Sequence, residues 1–116
     1  DLTIYHALPH GLLDPLGGKV AAGLYVDVSG VMDIKRKMLD AHDSQKPLLA
    51  STQGADPLVL MAAMATAAGA DSRAFAMAEG WRRRAHTGLS RSPRDPLAEL
   101  LDRGCVRGPA DRGDKR

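Results

Sequence analysis

An α/β fold with two short strands near the start and two main helices is what this sequence predicts. Three observations carry that expectation: strand-like runs at residues 3–7 and 24–28, apolar side chains at helical spacing over residues 30–45, and a proline-initiated, methionine- and alanine-rich stretch from Pro57.

In chain order, Thr3-Ile4-Tyr5-His6-Ala7 combines β-branched and aromatic residues, and Pro9, Gly11, Asp14-Pro15 and Gly17-Gly18 then mark a loop. Leu24-Tyr25-Val26-Asp27-Val28 is nearly continuous in apolar side chains, the pattern of a strand covered on both faces. Ser29 reads as the N-cap of a helix over residues 30–45, with Asp33 in its first turn at the positive end of the dipole. Val31, Ile34 and Met38 fall on one stripe of that helix, opposite Asp33, Arg36, Lys37, Asp40, Asp43 and Ser44, so this stripe is expected to face a core. His42 and Gln45 continue it, all five positions lying within about 80° of arc. Two inward polar side chains each need a hydrogen-bond partner, and either a structural pairing at the helix end or the lining of a pocket supplies one.

Pro47 ends the helix. Asp56 and Pro57 read as N-cap and first residue of the next, and Gly69 as its stop. Leu58, Val59, Leu60, Met61 and Met64 leave little polar face, so this helix is expected to be covered on most sides, with Met61 and Met64 filling gaps in a core. Residues 72–86 stay open between helix and strand on local propensity. Asp95-Pro96 precedes a short amphipathic element at residues 97–101, and residues 104–116, poor in apolar side chains, are expected to form a disordered basic tail.

A chain of 116 residues holds one domain or part of one, and a domain of this size buries only about two-thirds of its unfolded surface. Hydrophobic residues make up 44%, but Tyr5, Tyr25, Phe75 and Trp81 are the only aromatics, so the core must be thin and built from Leu, Val, Met and Ala. The longest weakly polar stretch, residues 57–70, falls short of the roughly 18 to 20 apolar residues of a membrane span. With no apolar, basically flanked opening segment, a cytoplasmic location without membrane contact is expected. The extended run directly after Asp1 fits a processed or truncated chain.

Charge is unevenly spread: residues 1–80 carry six Lys/Arg against nine Asp/Glu, residues 81–116 ten against five. The arginine-rich end permits phosphate contact, yet without interleaved aromatics or a nucleic-acid motif it argues for a solvated tail or internal carboxylate partners rather than nucleic acid. The sole cysteine, Cys105, excludes an internal disulfide and a cysteine metal cluster and reads as a bystander thiol. Among the histidines, His6 and His10 are four apart, but Pro9 between them argues against the helix that would give them one face. Gly17-Gly18 precedes a strand rather than a helix, so it is no phosphate cradle, and no Ser, His and acid grouping follows from spacing.

Leu24-Tyr25-Val26-Asp27-Val28-Ser29, followed by Lys35, Leu39 and His42-Asp43-Ser44-Gln45, resembles the late signature of the LmbE-like (PIG-L) deacetylases. That signature is a strand ending in Val-Asp-Ile/Val-Ser/Thr, then a helix carrying Lys and closing on His-x-Ser-Gln. Ala78-Glu79-Gly80-Trp81-Arg82 resembles the family's Ala-Glu-Gly-Phe/Trp-Arg element, and Asp95-Pro96-Leu97-Ala98-Glu99-Leu100-Leu101 is similar to an ending of bacterial members. Order and spacing agree over residues 3–103.

The resemblance implies that residues 1–103 are the carboxy-terminal part of a Rossmann-like three-layer sandwich. Such an enzyme uses a zinc-bound water to remove acetyl groups from N-acetylglucosamine-type substrates. The family's His-Pro-Asp-Asp-Glu-type and His-Pro-Asp-His-type loops, which supply zinc ligands and the catalytic carboxylate, do not occur here; Gly11 and Leu12 follow His10 where an acid and a histidine are required. By the same resemblance a missing amino-terminal half holds the metal, and this segment alone binds no zinc, is inactive, and leaves strands 3–7 and 24–28 to pair with that half. Gln53-Gly54-Ala55 lacks the tyrosine some members carry after this turn. His42 and Gln45 would lie near the sugar-binding side, lining the pocket or supporting it. Residues 75–79 would be strand, and Glu79 would pair with Arg82, Arg83 or another basic group. The alternative is a non-catalytic α/β interaction module whose methionine-rich helix docks on a partner beside a basic carboxy-terminal tail.

Overall fold

The computed structural model describes residues 2–42, 56–84 and 92–112. Four strands form one antiparallel sheet among them: β1 (Ile4–Ala7), β2 (Leu24–Asp27), β3 (Ala78–Arg84) and β4 (Cys105–Arg107), in the order β1-β3-β2-β4. The helices are α1 (Met32–Asp40), α2 (Pro57–Ser72), α3 (Pro96–Leu101) and the single turn α4 (Pro109–Arg112). The α/β class and both early strands agree with the sequence reading.

β3 lies between the two early strands, pairing Ile4 to Arg84 through Ala7 to Trp81 on one side and Leu24 to Trp81 through Asp27 to Ala78 on the other. The expectation that β1 and β2 depend on strands outside this chain is thus corrected, because β3 satisfies one edge of each. The end of β2 is fixed by two side chains. Asp27 accepts from the Ser29 backbone N–H at 3.0 Å, while the Ser29 hydroxyl bridges the backbone of Met77, donating to its carbonyl (3.2 Å) and accepting from its N–H (3.1 Å). Ser29 therefore does not cap α1, as its position had suggested; its hydroxyl is committed across the sheet to the residue before β3.

α2 starts as predicted. Asp56 accepts from the Leu58 N–H at 2.8 Å and Pro57 occupies the first turn. It runs three residues past the expected stop at Gly69 and ends on Arg73, whose φ of 58° takes the left-handed capping conformation. Gly69 serves a different purpose: a Cβ there would sit 2.3 Å from the Ala76 carbonyl oxygen, so only glycine lets the 75–76 segment cross the helix. The strand that follows begins at Ala78 rather than Phe75.

Small side chains make the core, as the composition required. Ala22, Tyr25, Ala68 and Ala78 form one buried cluster with Leu8, Phe75 and Val106 against it; Val28, Met32 and Ala65 form a second with Met61 and Met77. Tyr25 and Gly80 are register partners, and successive side chains alternate faces, so Tyr25, Ala78 and Gly80 share the face on which Ala68 of α2 packs.

The expected disordered tail over 104–116 is a second correction. Cys105–Arg107 adds β4 to β2 in register from Leu24↔Arg107 to Val26↔Cys105, and Gly108 and Ala110 donate to the carbonyls of Gly23 (2.9 Å) and Ala22 (3.0 Å). Low apolar content misled here because the ladder uses backbone groups, whatever the side chains are. Residues 113–116 lie outside the described residues.

Candidate functional site

The recessed surface of greatest chemical interest lies between α2, β3 and the turn at His10–Leu12. It is a hollow of about 140 Å³ walled by Leu8, Leu12, Met61, Met64 and Ala65, with Lys35, Glu79 and Trp81 as its polar and aromatic members. A neighbouring hollow of about 240 Å³ shares Leu12 and Met64 with it and adds Leu60, Ala63 and Ala67. Met61 and Met64 thus contribute to a wall as well as to packing.

Two elements position its charges. α1 carries Lys35 on the helix face turned toward the sheet, and β3 carries Glu79. Lys35 Nζ donates to Glu79 Oε2 at 3.0 Å, with the side chains 26% and 37% exposed. A partly exposed pair of this kind contributes about 0.2–1 kcal/mol, so its chemistry is of more interest than its stability. An ammonium donor and a carboxylate acceptor beside an apolar hollow can hydrogen-bond the polar end of a ligand whose body fills the hollow. The expectation for Glu79 was a basic partner, with Arg82 and Arg83 named first; the partner is Lys35, and the helical position of Lys35 in the signature was the available signal.

His42 does not join this hollow. It follows α1, is exposed, and its backbone N–H donates to Leu39 (3.1 Å). Gln45 lies outside the described residues. The stripe that carried both was expected to face inward, yet Val31, Ile34 and Met38 are 43%, 58% and 65% exposed while Met32 is 3% exposed. The buried face runs through Met32, Lys35 and Leu39, displaced from the predicted stripe by about a quarter turn. Periodicity identified the most apolar face; a lysine in the buried one disguised it, and its charge is answered by Glu79.

A second polar constellation joins residues far apart in sequence, which no local pattern could reveal. The Tyr5 hydroxyl donates to the Asp95 carboxylate and accepts from the Leu97 N–H (3.0 Å), while Asp95 caps α3 through the Ala98 N–H (3.2 Å). Burial and then the Asp95 bond raise the Tyr5 pKa. Arg83 donates to the carbonyls of Ser92 (3.1 Å) and Arg94, and Arg94 forms a forked pair with Glu99 (3.1 and 2.8 Å). These groups anchor α3. They consume their own donors and acceptors, which makes them structural.

Burial pushes the Cys105 thiol up, and the Asp95 and Asp102 carboxylates push it further, which keeps it from the thiolate form a nucleophile needs. Among the described residues no three His, Cys, Asp or Glu side chains gather to hold a metal ion. Nor is any helix among them long and apolar enough to cross a membrane. No protein-family model, curated protein or solved structure matches this chain.

Proposed function

We propose that residues 1–103 are the carboxy-terminal part of an LmbE-like, zinc-dependent N-deacetylase acting in the cytoplasm on N-acetylglucosamine-type substrates. The metal and catalytic carboxylate belong to an amino-terminal half that completes a Rossmann-like sandwich. The observation that carries this reading is the 3.0 Å contact between Lys35 and Glu79, because it joins two sequence elements, 44 residues apart, on which the resemblance rests.

The remaining elements support it. The Val-Asp-Val-Ser end of β2 is hydrogen-bonded to Met77, immediately before Ala78-Glu79-Gly80-Trp81-Arg82. The Asp95-Pro96 element is held by Tyr5, and the residues just before it, Ser92 and Arg94, accept from Arg83, which follows Trp81-Arg82. Among the described residues the outer edge of β1 pairs with no strand, so a sheet contributed by the other half has a place to continue. In this reading the segment alone binds no zinc and is inactive, the hollow at Lys35, Glu79 and Trp81 supports the substrate side, and His42 and Gln45 stay candidates for lining or supporting the sugar pocket of the complete enzyme.

The coding sequence upstream of Asp1 tests the proposal. An in-frame His-Pro-Asp-Asp-type motif followed by a His-Pro-Asp-His-type motif is expected; an upstream frame without either overturns it. One observation favours the alternative of a non-catalytic interaction module, namely the exposed Val31, Ile34 and Met38 stripe. That alternative requires a binding partner whose affinity falls when Ile34 and Met38 are made polar.

A further inference from the structure

The run Trp81-Arg82-Arg83-Arg84 places three adjacent arginines on β3, and alternation divides them. Arg83 is committed to the carbonyls before α3. Arg82 and Arg84 point to the other face, are exposed, and among the described residues neither has a hydrogen-bond or ion-pair partner. On the paired strand β1, His6 stands directly opposite Arg82, exposed and, among the described residues, without a hydrogen-bond or ion-pair partner.

Directly opposed side chains start about 5 Å apart, and residues two apart along a strand about 7 Å. Three cation-forming or N–H-donating side chains are thereby gathered on one patch, although opposed like charges disfavour the strand pair. We propose that this face of the β1–β3 pair binds a phosphoryl group, with the forked guanidinium donors of Arg82 and Arg84 on its oxygens and the His6 ring N–H beside them. Guanidinium geometry matches phosphate oxygens two at a time, which favours phosphoryl over a simple point-charge counterion. The patch spans one or two anionic groups, too few to follow a nucleic-acid backbone with useful affinity, because each neutralised phosphate contributes separately.

The test uses the full-length protein, with inorganic phosphate titrated by calorimetry and phosphatidic acid in phosphatidylcholine vesicles assayed by co-sedimentation. Saturable binding in either arm is expected, phosphate identifying a free phosphoryl ligand and vesicles alone a lipid headgroup. Arg82→Gln with Arg84→Gln should weaken it about tenfold or more, since each charged hydrogen bond lost is of that order. Arg73→Gln with Arg103→Gln, exposed arginines elsewhere, should leave it unchanged. Absence of binding in both arms, or equal loss in the two variant pairs, overturns the proposal. Should the glutamine pair fail to fold, Arg82→Lys with Arg84→Lys decides: a several-fold drop supports forked recognition, and unchanged binding contradicts it.

Discussion

α1 and α2 bury themselves by opposite means. α1 has a marked apolar stripe and turns it outward, burying Met32 and half-burying Lys35 and Leu39; α2 has almost no charged residue and is held by its smallest, Ala65, Ala68 and Gly69. The contrast teaches that hydrophobic periodicity finds the greasiest face, whereas burial follows where a close contact or a complementary charge exists. For α1 that charge is Glu79, and for α2 the close contact is the backbone at 75–76.

Substitutions along the two helices test that contrast, with stability read from denaturant unfolding. Met32→Ala should cost most, about 2–4 kcal/mol, because it empties a buried site. Met38→Ala, on the same helix, should fall within about 0.5 kcal/mol. Equal losses would mean that the exposed stripe is covered after all. Gly69→Ala in α2 should cost about 1–3 kcal/mol through overpacking against the Ala76 carbonyl, despite alanine's better helix propensity.

Tyr5→Phe should cost about 1 kcal/mol by removing the bond to Asp95 and one acceptor for Leu97. Because folding raises the Tyr5 pKa, its contribution is complete below the unfolded value of about 10 and is lost as pH rises through the higher folded value. An alkaline stability profile should therefore fall less steeply in Tyr5→Phe; identical slopes would remove Tyr5 from the account. The Lys35–Glu79 coupling should be small, about 0.2–1 kcal/mol in a double-mutant cycle with Lys35→Met and Glu79→Gln.

Where local chemistry decides, the sequence was readable. Asp56-Pro57 and Asp95-Pro96 open helices because their caps act within three residues, and strands β1 and β2 follow from β-branched and aromatic content. Where partners are distant it was not. The strand character of Cys105–Arg107 depends on β2, about 80 residues earlier. The direction of α1 depends on the site that Val28 and Ala65 offer to Met32, and Ser29 left its cap for Met77. In the candidate site, Met61 and Met64 were visible as apolar residues, but the hollow exists only once residues 7–12 cross α2.

Acetate release from an N-acetylglucosamine conjugate by the full-length protein, measured after metal stripping and again after zinc is restored, tests most directly whether this chain completes an enzyme whose zinc is held by preceding polypeptide. Activity lost on stripping and regained with zinc is the predicted result; a zinc-loaded, folded protein that releases no acetate, or release undiminished by stripping, contradicts it.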